Sequence, residues 1–230
     1  MLDPSRVRAI SLDLDDTLWP IWPTIQRAEQ ALNVWLCTHA PMSAALFANP
    51  VARQTLREHV LNTRPELAHD LSAVRREAIR LALYRANEDP LLAEPAFEVF
   101  FAERHKVDLY EDALPALEWL AQRYPLVALS NGNADVERVG LSGLFTASLS
   151  AATFGVGKPS EDIFHAAARA AGVLPGHVLH VGDDAHLDVL GALGAGMQAI
   201  WVNRQAQTWT HGPQPHGTVS QLTELCELLA

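Results

Sequence analysis

The sequence predicts an α/β protein with a mostly parallel sheet and a long helical insertion. Short apolar segments alternate with segments of helical periodicity at the start of the chain and after residue 107. That alternation is typical of a parallel sheet covered by helices on both faces. Residues 21–106, by contrast, carry apolar residues at helical spacing and few segments suited to strands. We therefore predict an α/β core of residues 1–20 and 107–230, with residues 21–106 inserted as a separate helical unit.

Each predicted element follows from its own pattern. Apolar, β-branched segments bounded by turn residues predict strands over residues 7–14, 125–130, 146–150, 177–181 and 197–202. Apolar residues at helical spacing predict helices over residues 26–36, 50–61, 66–86, 95–105, 112–123, 161–171, 185–195 and 220–229. Ser160 is the expected N-cap of helix 161–171. The prolines and glycines between residues 203 and 217 predict a loop there.

Composition and charge restrict the class of protein. The chain has 230 residues, of which 49% are hydrophobic, so it can bury a sizeable core. Its formal net charge is −10. This charge argues against a nucleic-acid partner, because binding to the phosphate backbone needs a basic surface. A small anionic ligand is compatible with it, since one lysine and one metal ion can reverse the local field.

The cysteines and the apolar segments indicate a compartment. Cys37 and Cys226 lie far apart and have no metal-ligand spacing, which fits a reducing cytoplasm. The N-terminus has no apolar signal core, and no apolar run approaches the roughly 18 residues of a membrane span. We therefore expect a cytoplasmic protein without a membrane partner.

Polar residues follow several of the predicted strands. The segment Asp13-Leu14-Asp15-Asp16-Thr17 follows the first strand, Ser130-Asn131-Gly132 ends the second, and Gly182-Asp183-Asp184 ends the fourth. In parallel sheets, ligands bind at the carboxyl ends of the strands. Lys158, in a loop before a helix, and Asp188 are expected at the same edge. Taken alone, the first segment is equally compatible with a solvated acidic turn. The polar residues at the ends of the other strands favour a functional site.

The residue types at this edge suit a phosphoryl group and a metal ion. Carboxylate oxygens are the ligands that Mg²⁺ prefers, and Asp13 and Asp183 are the first candidates. Asp188 lies four residues beyond Asp184, so it can face the same site in a supporting role. Lys158 brings a positive charge, while Ser130, Asn131 and Gly132 bring hydrogen-bond donors. Together these groups can cradle a phosphoryl group.

The first segment also contains a nucleophile and a proton carrier. An aspartate is ordinarily ionised at neutral pH, so Asp13 can attack phosphorus and form an aspartyl-phosphate. Asp15 is close enough in sequence to protonate the leaving oxygen and then to take a proton from the hydrolytic water. Asp16 is interpreted as a turn residue or a residue behind the site.

These motifs, in this order, resemble those of the haloacid dehalogenase (HAD) superfamily. The matching pieces are Asp13-Leu14-Asp15-Asp16-Thr17-Leu18, Ser130-Asn131-Gly132, Lys158-Pro159, and Gly182-Asp183-Asp184 with Asp188. The resemblance implies a Rossmann-like core with a helical cap of the C1 class after the first motif, hence a HAD phosphoric monoester hydrolase. It also implies a Mg²⁺ site formed by Asp13, Asp183 and the Asp15 carbonyl, with Asp184, Asp188 and Thr17 in support. Ser130, Asn131 and Lys158 would bind the phosphoryl group.

The resemblance narrows the reaction but leaves the substrate open. Dehalogenases of this superfamily lack an aspartate two residues after the nucleophile, so Asp15 favours a phosphatase; phosphomutases keep it and stay open. The segments Pro125–Asn133, Leu179–Asp184 and Gly196–Ala199 look like the bacterial capped phosphatases that act on FMN and on 5-amino-6-(5-phospho-D-ribitylamino)uracil in riboflavin biosynthesis. A sugar phosphate or a nucleotide remains an alternative substrate.

Further interpretations concern individual residues and rival classes. Trp19 and Trp22 follow the first motif and are candidate substrate contacts. His180 is interpreted as a structural residue of a buried strand, and Arg75, with its neighbours, as part of a solvated helix face. A phospho-acceptor signalling domain and a non-catalytic binding protein are the rival classes. A signalling domain is disfavoured because such domains carry the phospho-acceptor on a middle strand, whereas the acceptor proposed here follows the first strand. A non-catalytic binding protein is disfavoured because no catalytic motif is missing.

Overall fold

The computed structural model describes residues 1–230, the whole chain, and divides into two compact units. The sheet unit comprises Met1–Pro20 and Asp108–Ala230, and the helical unit comprises Ile21–Val107. These limits lie within one residue of those predicted from the change in sequence texture.

The sheet unit contains six parallel strands in the order β3-β2-β1-β4-β5-β6. Their bounds are β1 Ala9–Leu12, β2 Leu126–Ser130, β3 Ala147–Ser150, β4 Val178–Gly182, β5 Gln198–Val202 and β6 Gly217–Val219. Every residue of β1, β2, β4 and β5 is buried, as expected for parallel strands covered on both faces. The predicted α/β fold is therefore confirmed.

The loop predicted over residues 203–217 is confirmed up to residue 216, and the strand β6 that follows it was not predicted. Strand β6 has only three residues and pairs with β5, Val202 opposite Val219. A strand this short carries no alternation of its own, so its pairing with β5 depends on the tertiary fold.

The helical unit is built from α1 Ile21–His39, α2 Pro41–Ala48, α3 Pro50–Thr63, α4 Leu71–Arg85 and α5 Ala93–Arg104. Its own core includes Leu32, Leu36, Ile79, Phe97 and Phe100, all fully buried. Helix α2 was not predicted, since eight residues starting at a proline give a weak periodic signal. The helix predicted over residues 66–86 is split into a 3-10 turn, Pro65–Leu67, and α4.

Six helices belong to the sheet unit: α6 Ala113–Ala121, α7 Val136–Val139, α8 Ala151–Phe154, α9 Glu161–Ala170, α10 Gly191–Gly194 and α11 Leu222–Leu229. Ser160 caps α9 as predicted, its Oγ accepting from the Asp162 N–H. The helix predicted over residues 185–195 is present, but its first part, Ala185–Leu190, is a π-helix, and only Gly191–Gly194 is α-helical. None of the helices combines the length and the apolar character needed to cross a bilayer.

Candidate active site

Three neighbouring strands bring the predicted site residues to one edge of the sheet. Strand β1 ends next to Asp13, β2 ends at Ser130, and β4 ends next to Asp183. Since β2, β1 and β4 are adjacent and parallel, their carboxyl ends are adjacent as well. The Asp13 N–H donates to the Val181 carbonyl (2.9 Å), which extends the pairing of β1 with β4 into the first motif.

Lys158 lies between two carboxylates in the interior of this site. Its Nζ is 2.5 Å from Asp13 Oδ1 and 2.6 Å from Asp188 Oδ1, and all three residues are buried. Two charge-assisted hydrogen bonds of this length are at the strong end of the range. The structure thus brings together Asp13, the predicted nucleophile, with Lys158 and Asp188, which are far apart in the sequence.

Asn131 positions Lys158 through its amide group. Its Oδ1 accepts from the Lys158 N–H (2.7 Å) and its Nδ2 donates to the Lys158 carbonyl (2.8 Å). Gly157 permits this close approach, because a Cβ there would lie 2.5 Å from Asn131 Oδ1. The Asn131 side chain therefore holds the lysine, and a phosphoryl contact through the Asn131 backbone N–H stays a prediction. Ser130 is buried, and its Oγ accepts from the Gly132 N–H (2.9 Å), which leaves the hydroxyl proton for a ligand.

Asp188 is fixed by a buried network that includes His180. Its Oδ1 lies 3.2 Å from His180 Nε2, and its Oδ2 accepts from the Asp184 N–H (2.9 Å). The other ring nitrogen of His180 lies 2.8 Å from Ser11 Oγ. Both contacts are satisfied if Nε2 donates to Asp188 and Nδ1 accepts from Ser11.

The involvement of His180 at the site was missed from the sequence. A signal was present: Ser11 and His180 are polar residues in otherwise apolar strands, and the register of β1 with β4 pairs them.

Burial and mutual repulsion set the pKa values of the carboxylates. Burial raises the pKa of Asp13 well above its usual value; Lys158 opposes this, and the charges of Asp188 and Asp183 add to it. Burial also raises the pKa of Asp183 to about 7, again with repulsion from Asp188. Asp188 differs: its pKa is lowered, because the attraction of Lys158 and His180 exceeds the cost of burial.

The pKa values of Lys158 and His180 are shifted in opposite directions. Burial disfavours the charge on Lys158, but Asp13 and Asp188 outweigh that cost and raise its pKa, so the ammonium stays charged. Burial lowers the pKa of His180, which keeps its ring neutral near pH 7.

The acidic residues fit a divalent cation. One carboxylate oxygen each from Asp13, Asp183 and Asp188 lies within 4.8 Å of the others. Three carboxylates against the single ammonium of Lys158 leave two negative charges, which matches a divalent ion. A cation held there would favour the ionised forms that burial and repulsion now disfavour. Asp183 is oriented by Thr17, whose hydroxyl donates to its Oδ1 (3.0 Å), and by Trp201, whose Nε1 donates to its carbonyl (2.7 Å).

The loop after Asp13 is a tight turn closed by Trp19. The Trp19 Nε1 donates to Asp15 Oδ1 (2.8 Å), and the Asp16 N–H donates to the Trp19 carbonyl (2.7 Å). Asp16 has a left-handed backbone with φ 60°, a conformation that aspartate tolerates better than most residues. Trp19 is fully buried, so the prediction that it contacts a substrate is contradicted: its ring faces the interior and its N–H orients Asp15.

Trp22 and Asp184, two other residues that the sequence analysis named, lie outside the buried cluster of Asp13, Lys158 and Asp188. Trp22 belongs to the helical unit and is 70% exposed, so its role as a substrate contact stays a prediction. Asp184 is exposed, and its Oδ1 accepts from the N–H groups of His186 (2.8 Å) and Leu187 (2.7 Å). It supports the site by capping the π-helix that carries Asp188.

Arg204 is a second residue that sequence reasoning missed. Its guanidinium donates to both Asp112 carboxylate oxygens (3.0 Å each) and to the Thr17 carbonyl (2.9 Å), and lies 3.9 Å from the centre of the Tyr110 ring. It thereby connects the first motif to the segment after the insertion and to the loop after β5. An arginine in a polar loop gave no signal of this role.

The ordered motifs, the parallel sheet and the buried Asp13–Lys158 pair agree with a match of residues 7–196 to the family model for haloacid dehalogenase-like hydrolases. The chain belongs to this family and is a hydrolase of the HAD superfamily. The resemblance noted from the motifs is thus confirmed.

Individual relatives are named for two reactions. The chain is 34% identical, over 97% of both chains, to the 5-amino-6-(5-phospho-D-ribitylamino)uracil phosphatase YigB of Escherichia coli (strain K12). It is also 34% identical to a phosphoserine phosphatase of Thermus thermophilus, over 66% of this chain and 63% of that protein. A crystal structure of a 2-haloacid dehalogenase from Pseudomonas syringae pv. Tomato DC3000 is 38% identical with a TM-score of 0.92, covering 97% of this chain and 98% of that one.

Proposed function

We propose that the protein is a Mg²⁺-dependent phosphatase of small phosphomonoesters that works through an aspartyl-phosphate on Asp13. The observation that carries the proposal is the buried contact of Lys158 Nζ with Asp13 Oδ1 (2.5 Å), beside Asp183 and Asp188. This arrangement offers a nucleophilic carboxylate, a positive charge for phosphoryl oxygens and ligands for a cation in one place.

Each chemical step is assigned to a residue of the site. Asp13 attacks phosphorus as the bond to the ester oxygen breaks, and Asp15 donates a proton to that leaving oxygen. Asp15 then accepts a proton from a water molecule that attacks the aspartyl-phosphate, which releases phosphate and restores Asp13. Lys158 and the Ser130 hydroxyl bind the phosphoryl oxygens. Asp13, Asp183 and the Asp15 carbonyl would hold Mg²⁺, which would supply positive charge that favours the ionised carboxylates and offsets the phosphoryl charge.

A dehalogenase is the second candidate, because the chain is 38% identical to the 2-haloacid dehalogenase of known structure from Pseudomonas syringae pv. Tomato DC3000. The two reactions differ in one requirement. Displacing a halide needs no proton donor at the leaving group, whereas releasing an alkoxide does. Asp15, held by Trp19 in the same loop as Asp13, is such a donor, and the dehalogenases of the superfamily lack it. Asp15 therefore supports the phosphatase.

Turnover of p-nitrophenyl phosphate tests the proposal. We expect hydrolysis that requires Mg²⁺, is abolished by a chelator, and falls by about 10³-fold or more in Asp13→Asn. Release of halide from a 2-haloacid is measured in parallel. Halide release without phosphate release, or full activity of Asp13→Asn, would contradict the phosphatase. Transfer of the phosphoryl group to a second hydroxyl of a sugar phosphate, with no free phosphate, would identify a mutase.

The substrate and the cellular setting form the finer part of the proposal. FMN and 5-amino-6-(5-phospho-D-ribitylamino)uracil, hence a place in riboflavin biosynthesis, are the first candidates, supported by the similarity to the Escherichia coli phosphatase. A panel of these compounds, sugar phosphates and nucleotides, compared by kcat/KM, decides between them. A cytoplasmic location without nucleic-acid or membrane partners is supported by the two free cysteines, one exposed, and the net charge of −10.

A further inference from the structure

The helical unit contains a cavity of about 500 Å³, and none of the residues that line it belongs to the catalytic motifs. Its volume is in the range of small-molecule pockets, roughly 300–1,000 Å³. One face of α1 contributes Trp22, Ile25, Gln26 and Glu29, whose spacing of three, one and three residues aligns them along the helix. All lining residues belong to the helical unit, so the cavity is a property of that unit alone.

The opposite wall carries an excess of positive charge. Helix α3 contributes Arg53 and Arg57, one turn apart, and α4 contributes Arg75. Glu29 is the only carboxylate among the lining residues. Three guanidinium groups around one carboxylate leave two positive charges, in a protein whose net charge is −10. Like charges one turn apart on a helix are destabilising, so this cluster has a cost that an anion would relieve.

Glu29 forms ion pairs with two of these arginines, Arg75 and Arg53. Its Oε1 lies 2.5 Å from Arg75 Nη1, and its Oε2 lies 3.8 Å from Arg53 Nε. Arg53 also donates to the Phe47 carbonyl. Arg57 is exposed and makes no ion pair or hydrogen bond with the rest of the chain. The cavity therefore holds one cationic group that no protein group neutralises.

The sequence predicted that Arg75 belongs to a solvated helix face, and the structure contradicts this prediction. Its side chain is only 17% exposed, and its guanidinium lies 3.7 Å from the centre of the Phe100 ring. Burial lowers the pKa of Arg75, Glu29 opposes this, and the positive charges of Arg57 and Arg53 act in the same direction as burial. Glu29 therefore neutralises Arg75, and Arg57 is the group that an anion can meet.

Apolar groups complete the cavity. Trp22, Ile25, Phe47, Pro50 and Ala78 line it beside the arginines. Trp22 is 70% exposed, so its ring offers an apolar surface to a ligand in the cavity. A wall of this kind accommodates a ring or a short hydrocarbon body, while the guanidinium groups bind planar carboxylate or phosphate groups with two hydrogen bonds each.

We propose that this cavity is a binding site for a small organic anion, whose carboxylate or phosphate group pairs with Arg57 and Arg53 and whose body packs against Trp22. A carboxylate or phosphate group of this kind comes from one of two sources: a second acidic group on the substrate itself, or a separate metabolite. The site does not depend on the phosphatase reaction, because binding can be measured without turnover.

Calorimetric titration of the full chain with isophthalate, a ring carrying two carboxylates, tests the site. We expect binding that weakens about tenfold in Arg57→Gln, the effect of losing one charge-assisted contact. The matched control is Arg85→Gln, an exposed arginine of the same unit outside the cavity, which should bind as the parent does. Absence of binding, or equal affinity of Arg57→Gln and the parent, overturns the proposal. Because Arg57 is exposed, its replacement should leave the fold intact, which thermal unfolding verifies.

A kinetic comparison then identifies the source of the anion. The compounds are phenyl phosphate and 2-carboxyphenyl phosphate, which differ by one carboxylate. If Arg57→Gln lowers kcat/KM for the carboxylated compound more than for phenyl phosphate, the anion is the substrate's own second group. If both change by the same factor, the anion is a separate ligand. Failure of the phosphatase proposal would appear as no turnover of either compound with isophthalate binding intact.

Discussion

The carboxylate of Asp15 depends on a buried tryptophan for its orientation. Trp19 contributes its only hydrogen-bond donor to Asp15 Oδ1, and the ring has no exposed surface. Trp19, which its sequence position suggested as a substrate contact, therefore orients Asp15, the proposed proton carrier.

Replacing Trp19 by phenylalanine tests this role. The change keeps an aromatic ring but removes the donor, and losing one buried hydrogen-bond partner costs about 1–3 kcal/mol. We expect kcat for p-nitrophenyl phosphate to fall by about tenfold, with a smaller change in KM, because the proton transfers lose their alignment. Trp35→Phe, a half-buried tryptophan of the helical unit, is the control. Equal kcat values for the two variants would show that the indole N–H has no part in catalysis.

At the scale of secondary structure, the end of β4 admits only a glycine. A Cβ on Gly182 would lie 2.3 Å from Asp188 Cγ, so the strand and the following π-helix approach each other as closely as backbone allows. The approach explains how Asp188, which comes from the π-helix, reaches Lys158.

Gly182→Ala is expected to displace Asp188. Overpacking of this kind costs about 1–3 kcal/mol, and the displaced carboxylate would no longer hold Lys158. We expect urea unfolding to show the lower stability and the phosphatase assay to show a large loss of kcat. Gly143→Ala is the matched control, since nothing lies within 4 Å of a Cβ there. A fully active Gly182→Ala protein would contradict the close packing described here.

Asp184 provides a second prediction for the same element. Its side chain accepts two backbone N–H bonds at the start of the π-helix, which is the role of an N-cap. We expect Asp184→Ala to lower the free energy of unfolding by about 1 kcal/mol, and Asp184→Asn to retain most of it, because asparagine caps equally well. If the asparagine variant is as unstable as the alanine variant, the negative charge and not the cap is what matters.

On the scale of the sheet unit, Arg204 connects three segments that are distant in sequence. Its partners are Asp112, Thr17 and Tyr110, and its ion pair with Asp112 is largely buried. Breaking a buried pair costs about 3 kcal/mol or more, because the remaining charge loses its partner.

Arg204→Ala is expected to show a loss of that size in urea unfolding. Arg204→Lys should recover little of it, because lysine lacks the planar fork that contacts both Asp112 oxygens and the stacking on Tyr110. Arg169→Ala, an exposed arginine of α9, should lie within about 0.5 kcal/mol of the parent. Full rescue by lysine would mean that charge alone suffices.

The stability of the molecule should depend on pH through the carboxylates of the site. Burial raises the pKa of Asp183 to about 7, from an ordinary value of 3.8. Between those values the native protein binds more protons than the unfolded chain, so stability falls as the pH rises. Asp188 acts oppositely, but its lowered pKa removes stability only as the pH drops below about 4. The lowered pKa of His180 also acts oppositely, because stability is lost as the pH drops below the ordinary histidine value of 6.5.

Thermal unfolding at two pH values checks this linkage. With divalent cations removed, we expect a lower Tm at pH 8 than at pH 6.5, a range above the ordinary histidine pKa, and a smaller difference in Asp183→Asn. Added Mg²⁺ should raise Tm more at pH 8, because the carboxylates must be ionised to bind it. A Tm that rises from pH 6.5 to pH 8 in the metal-free protein, or an Mg²⁺ effect larger at pH 6.5, would contradict this account.

The sequence by itself determined the α/β fold, the limits of the helical insertion and the set of residues at the sheet edge. These follow from local patterns: apolar strands, helical spacing and polar residues where strands end. Five of the six strands were predicted because each carries its own apolar signal; β6 does not.

Only the tertiary structure decided how those residues share the work. Some of these roles come from contacts between residues far apart in the chain: Asn131 with Lys158, and Arg204 with Thr17. Others depend on the direction in which a side chain points, as for the buried Trp19 and for His180, which contacts Asp188. Hydrogen bonds and burial act over a few ångströms of space, whatever the separation in sequence. A linear pattern therefore identifies the chemical groups of this site, and the packing of the sheet assigns each its partner.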